Sequence, residues 1–335
     1  MSPLAPIVLF VYNRPDHTRK TLRALADNLL AQESLLFIYA DGAKENANDA
    51  VRQAIAATRE VAKAEQWCKE VKIIESESNR GLASSIIAGV TATVNRFGKV
   101  IVLEDDIVTS PYFLTYMNDA LNFYENEKKV WHIGAYSAPF ENHALPDAFF
   151  IRYMECWGWG TWADRWQYFA KNPARLISEF SDEDIYQFNL DGAEPGQWGA
   201  VLANSRGEMN TWAVFWGATI FKQGGLCLNP AVSFINNIGF DGSGAHCGTS
   251  ANFNHAILCE KRLDFAAIEI TENAEAFARL RQFYWRMSSR PSLIKRIKRH
   301  VKQLLPASVV AIMRRWCDKI AGRNINYGGG GGNIR

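Results

Sequence analysis

The sequence predicts an α/β fold: a mostly parallel sheet with helices on both faces. Three observations predict it. Short apolar runs alternate with amphipathic stretches of helical period through the first 135 residues. The apolar runs have the length of strands, and strands alternating with helices imply parallel strands joined by crossovers. Polar and acidic groups stand directly after the runs, at Arg14, at Asp41-Gly42 and at Glu104-Asp105-Asp106.

Taken in order, Pro6 to Tyr12 reads as a buried strand, and a helix follows from Pro15 with Leu22, Leu25 and Leu29 on one face. Leu35 to Ala40 is a second strand, and Asn48 to Trp67 a helix rich in Ala, Glu and Arg. Val71 to Glu75 is a third strand, Gly81 to Phe97 a helix, and Val100 to Leu103 a strand that runs into the acidic triplet. Tyr112 to Glu127 is helical and Val130 to Ala135 is a fifth strand. The second half is dense in Trp, Gly and Asn, which predicts short elements and long functional loops. No repeat of fixed period is present.

The length of 335 residues, 48% of them hydrophobic, suits one large α/β domain with a well-filled core. We read residues 1–135 as the half that carries the strand-end polar groups and 136–285 as a second half of the same domain. Residues 286–323 are read as a basic amphipathic helical tail and 324–335 as a flexible, Gly-rich end. No apolar run approaches the roughly 20 residues of a spanning helix. The apolar stretch Ile7 to Val11 lacks a preceding basic residue, so it is read as a strand and not a signal peptide. The six cysteines are scattered without a C-x-x-C pair, which predicts reduced thiols in a cytoplasmic protein.

The net charge of +2 hides an asymmetry. Residues 286–323 carry +10, and residues 1–285 carry −9. In the tail, Leu293, Ile297, Val301 and Leu304 form one apolar stripe and Val309, Met313, Trp316 and Ile320 another, with cations flanking both. That pattern predicts docking on an anionic membrane surface, the inner face of the cytoplasmic membrane. The opposing expectation is a tail packed on the acidic body. Nucleic acid is not an expected partner, because the cations flank apolar stripes instead of forming an open basic face.

Ligands of open parallel sheets bind beyond the carboxyl ends of the strands. Three carboxylates in a row at such an end repel one another, and a hard divalent cation, Mn²⁺ or Mg²⁺, is the usual remedy. Such an ion neutralises a diphosphate leaving group. Capping of the next helix explains the triplet poorly, because that helix starts only near Ser110-Pro111.

Glu-Asp-Asp after an apolar strand, then a Pro-aromatic-Phe helix and a Trp-bearing strand, resembles the inverting GT-A glycosyltransferases, in particular N-acetylglucosaminyltransferase I and its bacterial relatives. PIVLFVYNRP (Pro6 to Pro15) and FIYADG (Phe37 to Gly42) are similar to that family's first and second strands, and the resemblance covers residues 5–170. It implies a GT-A fold and inverting transfer from a nucleotide-sugar, a UDP-sugar by expectation, to a carbohydrate or lipid-linked acceptor. Residue by residue it implies that Asp106 ligates the metal and that Asp105 approaches the ribose or the metal's water shell. It implies further that Glu104 faces the donor's sugar or ribose, Asp41 bonds the base and Arg14 reaches the nucleotide. Asn79-Arg80-Gly81 resembles a segment lining the donor pocket, with an ordinary helix start as the alternative.

The match departs at the catalytic base. The family carries an Asp directly after a Trp, whereas Trp212-Ala213-Val214-Phe215-Trp216 has no carboxylate. An inverting transfer needs a base within hydrogen-bond reach of the acceptor hydroxyl. The candidates are Asp241, Glu155, Asp164 and Glu208, with Asp241 preferred for its Gly- and Asn-rich loop, where the alternative is a plain Asp-Gly turn. His246 in the same loop is a candidate metal ligand or diphosphate contact. Trp157, Trp159 and Trp162 either stack on sugars or fill the core. A catalytically inactive carbohydrate-binding or scaffold protein is the rival reading from another class. A sugar-nucleotide pyrophosphorylase is disfavoured, because Tyr12-Asn13-Arg14-Pro15 lacks the glycines of a phosphate-cradling loop.

Overall fold

The structure, a computed structural model, describes residues 3–140, 144–242, 253 and 257–289. His246, the apolar stripes of the basic tail and the Gly-rich end lie outside the described residues. The chain divides into two compact units, Met1–Tyr284 and Trp285–Arg335. No helix among the described residues is long and apolar enough to cross a membrane.

The first unit opens with the predicted alternation: β1 (Ile7–Val11), α1 (Pro15–Ala26), β2 (Leu35–Ala40), α2 (Asp49–Lys63), β3 (Glu70–Glu75), α3 (Leu82–Phe97) and β4 (Lys99–Glu104). Then come β5 (Ile107–Thr109), α4 (Phe113–Phe123), β6 (Val130–Gly134), β7 (Ala148–Ile151) and β8 (Trp159–Trp162). Four short helices follow, α5 (Ala163–Trp166), α6 (Pro173–Glu179), α7 (Asp182–Phe188) and α8 (Gly196–Ser205), and then α9 (Ala213–Lys222), β9 (Leu226–Pro230), β10 (Ile235–Asn237) and α10 (Ala274–Ser289).

Eight strands form one sheet in the order β3-β2-β1-β4-β8-β6-β9-β7, and β5 and β10 form a second. The pairs β1–β2, β2–β3, β1–β4 and β6–β9 are parallel, whereas β8 runs antiparallel between β4 and β6 and β7 runs antiparallel to β9. This is the mainly parallel, helix-flanked architecture of a Rossmann-like, GT-A type fold. Every residue of β1 is buried, as a central strand covered on both faces demands. One apolar cluster fills one face with Leu9, Leu103, Trp67 and Trp162, and another fills the opposite face with Val8, Val102, Trp159 and Trp216.

Two expectations are corrected here. Leu29 is 59% exposed, because α1 stops at Ala26 and the chain leaves the helical register before reaching it. α2 ends at Lys63, four residues before the predicted end. Trp67 is instead buried, with its indole Nε1 donating to the Ala62 carbonyl at 3.0 Å.

Chain order leaves β1 toward β2 and β3 on one side and returns to β4 on the other. The switch point of the sheet therefore lies between the carboxyl ends of β1 and β4, where open α/β sheets bind ligands.

Candidate active site at the switch point

Arg14 follows β1 and the acidic triplet ends β4, so adjacent strands deliver both to the same crevice. The Arg14 guanidinium grips the Asp105 carboxylate with Nη2 and, at 3.3 Å, with Nε. The same Nη2 donates to Asp106 Oδ2 at 2.8 Å. Burial works against the charge on Arg14, but Asp105 and Asp106 outweigh it and hold the guanidinium more firmly protonated than usual. The Glu104 carboxyl forms no hydrogen bond to a described residue, although its backbone belongs to the β1–β4 ladder. Burial first, and then the Asp106 and Asp105 charges, push its carboxyl up to about 8.

One guanidinium offsets only one of these charges, and burial raises the Glu104 carboxyl, so the cluster keeps a net negative charge.

The residues present suit a divalent cation. Arg14 engages both oxygens of Asp105, but no described residue bonds Asp106 Oδ1 or the Glu104 carboxylate. Mg²⁺-like ions take one or two carboxylates and complete their shell with water and substrate phosphate. Among the described residues, no group of three or more His, Cys, Asp or Glu side chains encloses a cation, so phosphate and water would supply the remaining positions.

The small sheet closes the crevice. β10 pairs with β5 directly after the triplet, with Asn237 opposite Ile107. Beyond that pairing, the Ile238 amide donates to the Asp106 carbonyl at 2.9 Å. Gly239 packs so closely on Asp106 that a Cβ there would collide with Oδ2. Two residues later Asp241, its side chain 48% exposed, meets His17 Nε2 at 3.1 Å. The structure therefore brings Arg14, Glu104, Asp105, Asp106 and Asp241 into one cluster, joined by His17, which sequence reasoning missed. The available signal was spacing: residues three apart in the first turn of a helix share a face, so His17 follows Arg14.

The second predicted cluster is built differently. Asp41, at the end of β2, is buried, and its carboxylate accepts four hydrogen bonds. Oδ1 takes the amides of Gly42 (2.9 Å) and Arg80 (2.8 Å), while Oδ2 takes the Gly81 amide (2.9 Å) and Asn79 Nδ2 (3.0 Å). Four donors fill a carboxylate's ordinary capacity. Asp41 and Asn79 thus hold the loop from β3 to α3 in place. Gly42 is required there, since a Cβ would lie 2.6 Å from the Ser78 carbonyl carbon. The Arg80 side chain is exposed.

Three candidate bases are displaced. Asp164 follows β8, and because β8 runs antiparallel to β4 it emerges at the Lys99 end, opposite the triplet, paired with Lys128 and Arg165. Glu155 is buried, with its Oε1 accepting from the Tyr284 hydroxyl at 2.9 Å, and burial pushes its carboxyl up to about 8. Glu208 is exposed and paired with Arg206. Trp159, Trp162, Trp212 and Trp216 are core residues, at most 2% exposed. Trp159 stacks on Trp212 at 5.0 Å, and Trp162 donates its Nε1 to the Leu121 carbonyl. Only Trp157 stays near the crevice, edge-on to Phe240 at 5.4 Å.

No family model matches the chain, and no curated protein matches it. Among solved structures, the crystal structure of S. aureus TarS is similar over 44% of this chain and 24% of that chain, with 13% identity and a TM-score of 0.28. The similar region thus spans about a quarter of that protein's length, and a likeness this weak carries no argument about function.

Proposed function

We propose that the chain is a glycosyltransferase that takes a sugar from a nucleotide-sugar, a UDP-sugar in our reading, and transfers it with inversion to a glycan or lipid-linked acceptor. One observation carries the reading. Carboxylates with unbonded oxygens, an arginine paired with two of them and a half-exposed aspartate converge at the switch point of a GT-A type sheet. Asp106, assisted by Glu104, would hold Mn²⁺ or Mg²⁺, which when bound neutralises the diphosphate leaving group. Arg14, released from the carboxylates, would reach the donor's phosphates, to which a guanidinium fork is well matched. Asp241 takes the proton from the acceptor hydroxyl as its oxygen attacks the anomeric carbon and the bond to the diphosphate breaks. A single displacement of that kind inverts the anomeric centre.

The test is thermal stabilisation by a panel of nucleotide-sugars with and without Mn²⁺, since selective binding raises the apparent stability by mass action. We expect stabilisation by UDP-sugars that requires the metal. Stabilisation that is the same in the presence of a chelator overturns the metal assignment, and none with any nucleotide-sugar overturns the function.

A further inference from the structure

We propose that Arg14 couples cation binding to nucleotide binding, because its guanidinium competes with the cation for the same carboxylates until a diphosphate engages it. The proposal rests on the glycosyl-transfer reading above and adds to it that the cation binds weakly until the nucleotide is present.

Arg14 is the N-cap residue of α1, and its side chain spans both aspartates of the triplet. Nε and Nη2 engage the two oxygens of Asp105, and Nη2 also donates to Asp106 Oδ2 at 2.8 Å. The contact is largely shielded from water, with 16% of the Arg14 side chain and 11% of the Asp106 side chain exposed. Solvent and salt weaken a shielded pair much less than a surface pair.

The carboxylates are fixed from behind. Glu104 belongs to the β1–β4 ladder, the Thr21 hydroxyl donates to the Asp105 carbonyl at 2.9 Å, and the Ile238 amide donates to the Asp106 carbonyl at 2.9 Å. Gly239 backs the Asp106 carboxylate so closely that a Cβ there would collide with Oδ2. A cation that takes Asp106 therefore meets a guanidinium already bonded to it. Both are positive and both draw on the same carboxylate charge, so each weakens the hold of the other.

A diphosphate changes the balance. Its oxygens match the guanidinium fork, and they also fill positions in the shell of a Mg²⁺-like ion. An Arg14 bonded to phosphate no longer offsets the charge of Asp106. The nucleotide thus strengthens cation binding. By linkage the cation strengthens nucleotide binding by the same factor.

The experiment titrates Mn²⁺ into the full-length chain without nucleotide and with saturating UDP, each against a protein-free blank, with free Mn²⁺ followed by electron paramagnetic resonance. Arg14→Gln keeps an amide donor and removes the charge, whereas Arg14→Lys keeps the charge. Without UDP, Arg14→Gln should bind Mn²⁺ about 10- to 100-fold more tightly than the unaltered chain, within the range by which a neighbouring arginine alters proton binding by a carboxylate. Arg14→Lys should stay close to the unaltered chain. UDP should tighten Mn²⁺ binding in the unaltered chain, and by a smaller factor in Arg14→Gln. An arginine that only held the carboxylates in place would give the opposite sign, a loss of Mn²⁺ affinity on its removal. Mn²⁺ binding by Arg14→Gln that is no tighter than in the unaltered chain overturns the proposal, and so does an equal gain in Arg14→Lys. An Mn²⁺ affinity of the unaltered chain that UDP leaves unchanged overturns it without recourse to any variant. No Mn²⁺ binding by the unaltered chain even with UDP overturns the metal-dependent reading beneath it.

Discussion

Two aspartates at the ends of the strands on either side of β1, Asp41 after β2 and Asp106 after β4, look equivalent in the sequence and are held in opposite ways. Asp41 is caged by three backbone amides and one side-chain amide, none of which can leave without unfolding the loop. The Asp106 carboxylate is held by one side chain, Arg14, through Oδ2, and its Oδ1 bonds no described residue. A carboxylate satisfied by fixed donors is a structural element, whereas one satisfied by a single counter-charge can exchange it for a ligand. Glu155 is a third case, a buried carboxyl with one hydroxyl partner, whose proton takes the place of both.

The comparison is sharpened most by pH. Glu155 has a folded value of about 8 against 4.5 when unfolded. A raised value means that its contribution to stability is fully present below about 4.5 and is lost as pH rises through about 8. The slope reaches about 1.4 kcal/mol per pH unit for one such group. Melting temperatures of Glu155→Gln should therefore fall less between pH 5 and 8 than those of the unaltered chain. The variant keeps some slope, because Glu104 is raised in the same way. Parallel profiles would contradict the burial account.

A smaller effect separates the two aspartates. Asp41→Ala strands three backbone amides and should cost about 3 kcal/mol of stability, whereas Asp106→Ala, which removes one contact from a partly exposed arginine, should cost under about 1 kcal/mol. Urea denaturation of the two variants side by side checks this. Equal losses would mean that the Asp41 cradle is not structural.

What the sequence revealed follows the same physics. Arg14, Glu104, Asp105 and Asp106 were legible because charged residues directly after apolar strand runs stand out from any bland alternative. Their confluence with Asp241 was only half legible, since it depends on β10 pairing with the three-residue strand β5, too short to register as a strand pattern. The loop-holding bonds of Asp41 were not legible, because backbone donors have no side-chain signature. Trp159 and Trp162 were ambiguous because stacking on a sugar and packing in a core require the same residue type, and only the fold chooses between them. Asp164 was misplaced for the related reason that nothing in the text of β8 shows it running antiparallel to β4.

The central claim is that Asp106, and not Asp41, is the carboxylate that exchanges its partner for a ligand. Calorimetric titration of UDP in the presence of Mn²⁺ tests it most directly, with the unaltered chain and Asp106→Ala compared at equal melting temperature. The account predicts metal-dependent UDP binding in the first and none in the second, with the fold intact. Unchanged UDP affinity in Asp106→Ala with the metal present would contradict it.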